Sequence, residues 1–319
     1  MRKAALALLM LLVAGPAFAQ APAEPPVDLG SPVVEALEVV AKPPGPALWK
    51  ASKGESEVVI LGGVTPLPHS LVWDTARVDK ALDGAAVLMV PPKPKVGAVD
   101  MVRFMVSGRS KVRLEKDAPL EAQLPPGLKE RFAAARVAAL QKPDRYARWK
   151  PFMAGFMLVN DFREAAGLSS AKPGSTVEKL AKAHGVRIRP VGEYRLAPLI
   201  GQAKGVSDAE SLACLEDAVE QVAHEASRAQ DLAKAWAAGN LAGVRANYGP
   251  APLERCLQQV PTVASLIERG TADSAAAILA ALERPGKAVA VVDLNFLLRP
   301  NGVLDRLQAQ GATITVPAG

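Results

Sequence analysis

The chain has 319 residues, of which 38 are Lys or Arg and 32 are Asp or Glu, so its net charge is +6. This length suffices for one large domain or two smaller ones, with an ample hydrophobic core. The positive charge is mild and does not indicate a nucleic-acid-binding protein.

The first 19 residues have the pattern of a secretory signal peptide. Arg2 and Lys3 precede an apolar run over residues 4–13, and an Ala-Phe-Ala cleavage site ends at Ala19. The run is shorter than the ~20 residues that span a bilayer, and the residue directly after the cleavage site is Gln20, which cannot carry a lipid as a cysteine would. The sequence therefore predicts a secreted or periplasmic protein with no transmembrane span after cleavage, when its net charge would be +4.

The remaining chain is predicted to hold one domain behind a linker. Residues 20–45 are rich in proline and alanine and indicate a flexible leader. Residues 46–319 follow as the domain, in which the middle part, about residues 126–284, has a mostly helical pattern. Basic residues gather over residues 93–116. They are interpreted as a solvated strand face, with a surface for an acidic partner as the alternative.

The domain begins with two predicted strands. Leu48 starts the first, a glycine turn follows, and residues 57–61 form a second β-rich run. Two glycines at residues 62–63 then permit a sharp bend, and prolines keep residues 65–68 extended. After a short helix, residues 87–90 read as a buried strand.

This order of elements resembles the N-terminal signature of the TraB/GumN family, which includes the Tiki-type metalloproteases. The resemblance is carried by Leu-Gly-x-x-x-x-Leu-Pro at residues 61–68 and by Trp73 shortly after it. Residues 235–240, Ala-Trp-x-x-Gly-Asn, are similar to a recurrent Ala-Trp-x-x-Gly-Asp segment of the family. The resemblance extends over about residues 47–316.

The resemblance also implies a metal site, and this chain departs from it. In the family, a Gly-x-x-His motif starts at the position of Gly62 and its histidine is implicated in metal binding, but that position is Thr65 here. The family's glutamate after the third strand corresponds to Pro91. The histidine of a second Gly-x-x-His motif corresponds to Asn295, and Arg269 matches the arginine of a family Arg-Asn pair.

These replacements predict a chain that keeps the family's fold without its metal chemistry. A transition-metal site usually takes about three ligands from His, Cys, Asp or Glu. Threonine and asparagine are poor substitutes for imidazole, and proline has no side-chain ligand. We therefore expect no bound metal and no other cofactor, with a divalent metal as the alternative.

The middle of the chain is predicted to be helical, with one short strand at residues 186–188. Two capping boxes, at residues 175–178 and 207–210, start two of the helices, and a break is expected near His224. The predicted helices cover residues 128–140, 152–166, 175–184, 208–238, 263–269 and 274–282.

The C-terminal end has a β-α-β pattern. A buried strand at residues 288–292 precedes a helix at 302–310, which Gly311 ends, and a closing strand lies at 313–316. The predicted fold class is therefore α/β or α+β, with a mixed sheet built from N- and C-terminal segments and a helical middle as an insertion or cap. The resemblance implies that pairing of this segment with the N-terminal strands brings Thr65 and Asn295 towards one mouth. The physical reason is that strand C-termini in open α/β sheets converge on a crevice.

Three other residues are weak candidates for catalysis or for displaced metal ligands: His69, Glu193 and Asp293. His69 lies on the loop that carries Thr65. The alternative interpretation is a loop histidine that contacts solvent and has no role in a site. Asp293 lies at a strand end, where it could bind a cation, cap a turn or pair with Arg299. One carboxylate without a metal is little support for catalysis. The other two histidines, His184 and His224, are interpreted as structural or exposed.

The two cysteines, Cys214 and Cys256, are the next candidates. In an oxidising compartment they should form a disulfide, and two buried free thiols are the alternative. No Cys-x-x-Cys or Gly-x-Ser-x-Gly motif is present, so redox and serine-hydrolase chemistry have no support.

The leading hypothesis is an exported member of this family that is catalytically inactive and acts as a binding or scaffold module of the cell envelope. Its partner would be an unidentified peptide or protein. A metal-dependent peptidase with relocated ligands is the first alternative. A purely structural envelope protein, tethered by the leader, is the second.

Overall fold

The structure is a computed structural model that describes residues 44–95, 97, 112–115, 117–195, 207–249, 252–258 and 261–317. The predicted signal peptide and nearly all of the predicted leader lie outside these residues, as does most of the basic stretch over residues 93–116.

The six strands predicted at residue 48 and at residues 57–61, 87–90, 186–188, 288–292 and 313–316 are present, with small shifts in their bounds, and four further short strands were not predicted. The strands are β1 (Leu48–Lys53), β2 (Ser56–Gly63), β3 (Leu67–Pro68), β4 (Val87–Val90), β5 (Lys93–Lys95), β6 (Leu168–Ser169), β7 (Arg187–Pro190), β8 (Glu193–Arg195), β9 (Gly286–Asp293) and β10 (Thr313–Thr315).

The main sheet has six strands in the order β10-β1-β2-β9-β4-β7. Strand β1 is antiparallel to both neighbours, whereas β2, β9, β4 and β7 run parallel. The predicted mixed sheet from N- and C-terminal segments is thus confirmed. The middle of the chain is not only helical, because it supplies the edge strand β7. Residues 288–292 of β9 are buried without interruption, as expected for a parallel strand covered on both faces.

Helices cover both faces of this sheet and form the middle of the chain. They are α1 (Ala76–Leu82), α2 (Leu120–Gln123), α3 (Pro126–Ala138), α4 (Pro151–Ala165), α5 (Gly174–Ala183), α6 (Asp208–Ala237), α7 (Leu241–Asn247), α8 (Pro252–Gln258), α9 (Pro261–Leu282), α10 (Leu294–Leu298) and α11 (Val303–Ala309).

Helix α6 connects two hydrophobic cores. One core lies around the main sheet and includes Leu232 and Trp236 from the end of α6. The other lies among α2, α3, α4 and the first part of α6, where it includes Leu215 and Val222. With 30 residues, α6 is about 45 Å long at 1.5 Å per residue. The helix is therefore long enough to contribute to both cores.

The predicted break of this helix near His224 is wrong. Helix α6 is continuous because its interior contains neither glycine nor proline. Its buried positions also continue past His224, with Val222 before it and Glu225 and Ala229 after it. The predicted capping box does start the helix, since the Ser207 side chain accepts from the Glu210 amide at 3.2 Å.

The two helices predicted at residues 263–269 and 274–282 are one helix, α9. The polar residues that suggested a gap bond to the preceding turn. Thr271 donates its hydroxyl to the Ile267 carbonyl at 3.1 Å, and Ser274 donates to the Gly270 carbonyl at 2.7 Å. Such bonds satisfy the hydroxyl groups within the helix, so no break is needed.

Two further local predictions are wrong. Helix α5 begins at Gly174 after Pro173 and has no side-chain cap, so the capping box at residues 175–178 does not form. Gly62 and Gly63 continue β2 and do not bend it. Gly62 is needed for close packing instead, because a Cβ there would lie 2.6 Å from Leu294 and 2.8 Å from Trp49.

The segment Ala-Trp-x-x-Gly-Asn at residues 235–240, which resembles a recurrent family segment, lies at the end of α6. Gly239 has φ +72°, which stops the helix. Asn240 then caps α7, since its Oδ1 accepts from the Gly243 amide at 2.9 Å. Within the described residues, no helix combines the length and the apolar character needed to cross a membrane.

Candidate functional site

The C-terminal ends of β2 and β9 lie side by side and face a cavity of about 450 Å³. Gly63 pairs with Asp293 in parallel register, so the segments that follow both strands leave the sheet at one edge. Thr65 and Asn295 line the cavity from these segments, as the predicted strand pairing requires. Helices α4 and α6 supply the opposite wall.

Asp293 lines the cavity and caps a helix. Its Oδ1 accepts from the Asn295 amide at 2.8 Å, which makes it the N-cap of α10. Its Oδ2 accepts from the Tyr248 hydroxyl at 3.0 Å. The predicted turn-capping role is thus confirmed. The predicted partner Arg299 instead pairs with Glu268 at 3.1 Å.

A second carboxylate in the cavity wall belongs to a buried hydrogen-bond network. Arg163 of α4 contacts both oxygens of Glu225 in α6, with Nε 2.9 Å from Oε2 and Nη2 2.5 Å from Oε1. Gln221 donates to Oε1 at 2.8 Å, and its own oxygen accepts from the Leu253 amide at 3.1 Å. The side chain of Glu225 is 9% exposed. This two-point contact gives the Arg163–Glu225 pair a fixed geometry.

His224 and Arg228 also line the cavity, and sequence reasoning missed both of them. They are four residues apart on α6, so they share one face of the helix. His224 was interpreted as structural or exposed, and it is half-buried. The sequence signal that could have found this pair is the spacing of four residues, which places His224 and Arg228 on one face of a continuous helix. The break predicted near His224 removed that inference.

Two of the weak candidates lie elsewhere. His69 is exposed in the loop after β3, where its amide donates to the Gly167 carbonyl at 2.8 Å. Glu193 of β8 is exposed and pairs with Lys95 at 2.8 Å. The hydrogen bond from Lys95 lowers the pKa of this carboxyl group below its ordinary value. Neither residue lines the cavity that Asp293 lines.

Two positions implied by the resemblance are also outside the cavity lining. Pro91 is exposed directly after β4. Arg269 pairs with Asp273 at 3.4 Å and lies over the ring of Tyr194, 4.9 Å from its centre. Burial and a hydrogen bond to Asp273 raise the pKa of Tyr194. The environment of Arg269 is therefore that of a surface ion pair.

The side chains around the cavity do not fit a transition metal. No group of three or more His, Cys, Asp or Glu residues capable of holding a metal ion occurs in the part of the chain that the structure describes. His69, Glu193 and Asp293 consequently form no such centre. Thr65 and Asn295 are neutral at the two positions where the resemblance implies histidines.

The cysteines contribute to the wall of the cavity through helix packing. Cys214 of α6 and Cys256 of α8 form a disulfide, with Cα atoms 5.4 Å apart, and neither cysteine is a free thiol. Pro252 and Leu253 of α8 line the cavity. The disulfide and the Leu253–Gln221 hydrogen bond thus hold α8 against α6.

Comparison with known proteins identifies a family that this chain matches. The sequence model of the TraB/PrgY/gumN family matches residues 47–316. No curated protein and no solved structure matches the chain at a significant level.

Proposed function

The chain belongs to the TraB/PrgY/gumN family, and we propose that it is a catalytically inactive member that binds a ligand in the cavity at the ends of β2 and β9. The observation that carries the proposal is the lining of this cavity. Its strand-end positions hold Thr65 and Asn295, and no described cluster of three metal-ligating residues replaces the implied histidines.

The shape of the cavity supports a binding role. A volume of about 450 Å³ is within the range of small-ligand sites, and such sites combine apolar walls with a few polar groups. Phe296 and Leu232 supply apolar surface here, and Arg228 supplies a charge. A peptide or protein partner would place only a side chain or a chain end in this space.

Export to the periplasm or the cell exterior is part of the proposal. It is supported by the signal-peptide pattern over residues 1–19 and by the disulfide between Cys214 and Cys256, since disulfides persist in oxidising compartments. An exported binding or scaffold module of the cell envelope fits both observations.

Metal analysis tests the inactive role. The purified protein should contain no stoichiometric Zn²⁺ or Mn²⁺, its Tm should not rise with either ion, and neither ion should produce peptidase activity. A stoichiometric metal that supports hydrolysis would overturn the proposal and favour a peptidase with relocated ligands.

A cavity-filling variant tests the binding role. Ala229 lines the cavity and is buried, so Ala229→Leu should fill part of it and remove ligand-induced rises in Tm. Ala226 is exposed on the same helix, and Ala226→Leu is the matched control. A panel of peptides and small anions that never shifts the Tm of the unmodified protein would support a purely structural role instead.

A further inference from the structure

The charged side chains of the cavity differ in whether they already have partners. The two carboxylates are both engaged. Glu225 accepts from Arg163 and Gln221, and Asp293 accepts from Tyr248 and from a backbone amide. A ligand would therefore have to compete with internal hydrogen bonds to use either carboxylate.

Two basic side chains on α6, Arg228 and His224, have fewer internal partners than the carboxylates. Among the described residues, the guanidinium of Arg228 makes one hydrogen bond, a long one of 3.4 Å to the Ala246 carbonyl, and no carboxylate lies within salt-bridge distance. The ring of His224 has no hydrogen-bond partner among the described residues. Both side chains line the cavity, and their spacing of four residues places them on one helix face.

Apolar side chains line the cavity beside Arg228 and His224. Phe156 of α4, Ile267 of α9 and Phe296 of α10 come from three different helices. Phe156 is 49% exposed, so it lies at the rim. An occupant of the cavity thus meets a guanidinium and an imidazole on one side and aromatic or aliphatic surface on the others.

We infer that the cavity binds a small ligand that carries an oxyanion, either a carboxylate or a phosphate, next to an apolar portion. Arg228 binds the oxyanion, because a guanidinium can donate two parallel hydrogen bonds to a carboxylate or a phosphate. His224 donates a third hydrogen bond to it, and the apolar portion packs against Phe296 and Ile267. This inference rests on the proposed binding role of the cavity and names the chemistry of its ligand.

Three probes of matched length test the inference: hexanoate, monohexyl phosphate and the neutral hexanamide. Binding to the full chain is measured by isothermal titration calorimetry at constant ionic strength. At least one of the two anions should bind, and hexanamide should bind at least tenfold more weakly. Tighter binding of hexanoate would identify the oxyanion as a carboxylate, and tighter binding of monohexyl phosphate as a phosphate.

Substitutions locate the anion. Arg228→Gln should weaken anion binding at least tenfold and His224→Gln by a smaller factor. Arg245→Gln, which removes an exposed arginine of α7 outside the cavity lining, should leave the affinity unchanged. Circular dichroism of each variant checks that it is folded.

The inference is overturned if neither anion binds, if hexanamide binds as tightly as the anions, or if Arg228→Gln leaves their affinity unchanged. Anion binding that Ala229→Leu abolishes and Arg228→Gln leaves unchanged would overturn the inference, and the proposed ligand-binding role of the cavity would still stand. Metal-dependent hydrolysis by the unmodified protein would contradict the proposed inactive role instead, whatever Arg228 binds.

Discussion

The indole Nε1 of Trp236 donates a hydrogen bond of 2.8 Å to the backbone carbonyl oxygen of Gly62. The two residues are 174 positions apart and belong to the two segments that carry the family resemblance. Trp73 lies edge-on against Trp236, with ring centres 5.2 Å apart. The hydrogen bond from Trp236 to Gly62 connects the end of α6 to β2, the strand that leads into the cavity.

Trp236→Phe tests the hydrogen bond. The variant keeps an aromatic ring but leaves the buried carbonyl oxygen of Gly62 without its donor, so the free energy of unfolding should fall by about 1–3 kcal/mol. Urea unfolding measures this change. Trp73→Phe makes the same chemical change next to it and should cost less, because no hydrogen bond from the Trp73 indole is found within the described structure. Equal losses would show that the hydrogen bond contributes nothing.

Gly62→Ala tests the close packing at the same position. The added methyl group would lie 2.6 Å from Leu294 and 2.8 Å from Trp49, closer than van der Waals contact allows, so overpacking should lower stability by about 1–3 kcal/mol. Gly127→Ala is the control, because a Cβ there meets nothing within 4 Å and alanine is the better helix former. An unchanged urea midpoint for Gly62→Ala would contradict the prediction.

Arg163→Met tests the buried ion pair. The variant leaves Glu225 without its cation in a position where that side chain is 9% exposed, so stability should fall by about 3 kcal/mol. Adding Glu225→Met should recover part of the loss, which a double-mutant cycle measures. Arg131 and Glu216 form a comparable pair between α3 and α6 with about half of each side chain exposed. Arg131→Met should therefore cost less than about 1 kcal/mol.

Removal of the disulfide should loosen one wall of the cavity. The pair Cys214→Ala and Cys256→Ala opens a loop with a sequence separation of 42. Its unfolding free energy should fall by about 2–4 kcal/mol. The comparison is made by thermal unfolding under oxidising conditions. In excess dithiothreitol the unmodified protein should lose most of its greater stability over the double variant. If the difference in stability persists there, the loss in the variant is caused by changed packing.

Histidines at the two strand-end positions should create metal affinity. Thr65 and Asn295 line one cavity, so Thr65→His combined with Asn295→His places two imidazoles there, and imidazole is a common zinc ligand. We expect Zn²⁺ to raise the Tm of this double variant and not that of the unmodified protein. Thr65→Gln with Asn295→Gln controls for side-chain size. If Zn²⁺ does not change the Tm of the double variant, the two positions do not share a metal-binding geometry.

Local signals in the sequence determined most of the elements of this fold. The apolar run at residues 288–292, the capping box at Ser207 and the glycine stop at Gly311 each act within a few residues. Such short-range preferences are readable without tertiary contacts. The likeness of residues 61–68 to one family then indicated the mixed sheet and the approach of Thr65 to Asn295.

Other features depended on contacts that no local pattern contains. The buried positions of α6 continue past His224 because the helix contributes to both hydrophobic cores. The need for a glycine at residue 62, within β2, depends on the close packing of Leu294 and Trp49 against it.

The sequence by itself determined the family, the six strands of the main sheet and the loss of the implied histidines, because these depend on residue identity and short-range pattern. Only the tertiary structure decided which polar groups surround the cavity. Arg163 pairs with Glu225, a residue 62 positions away, and this pairing leaves Arg228 as the cation available to a ligand. Partner choice among charged side chains is a matter of distance in space, and chain position does not encode it.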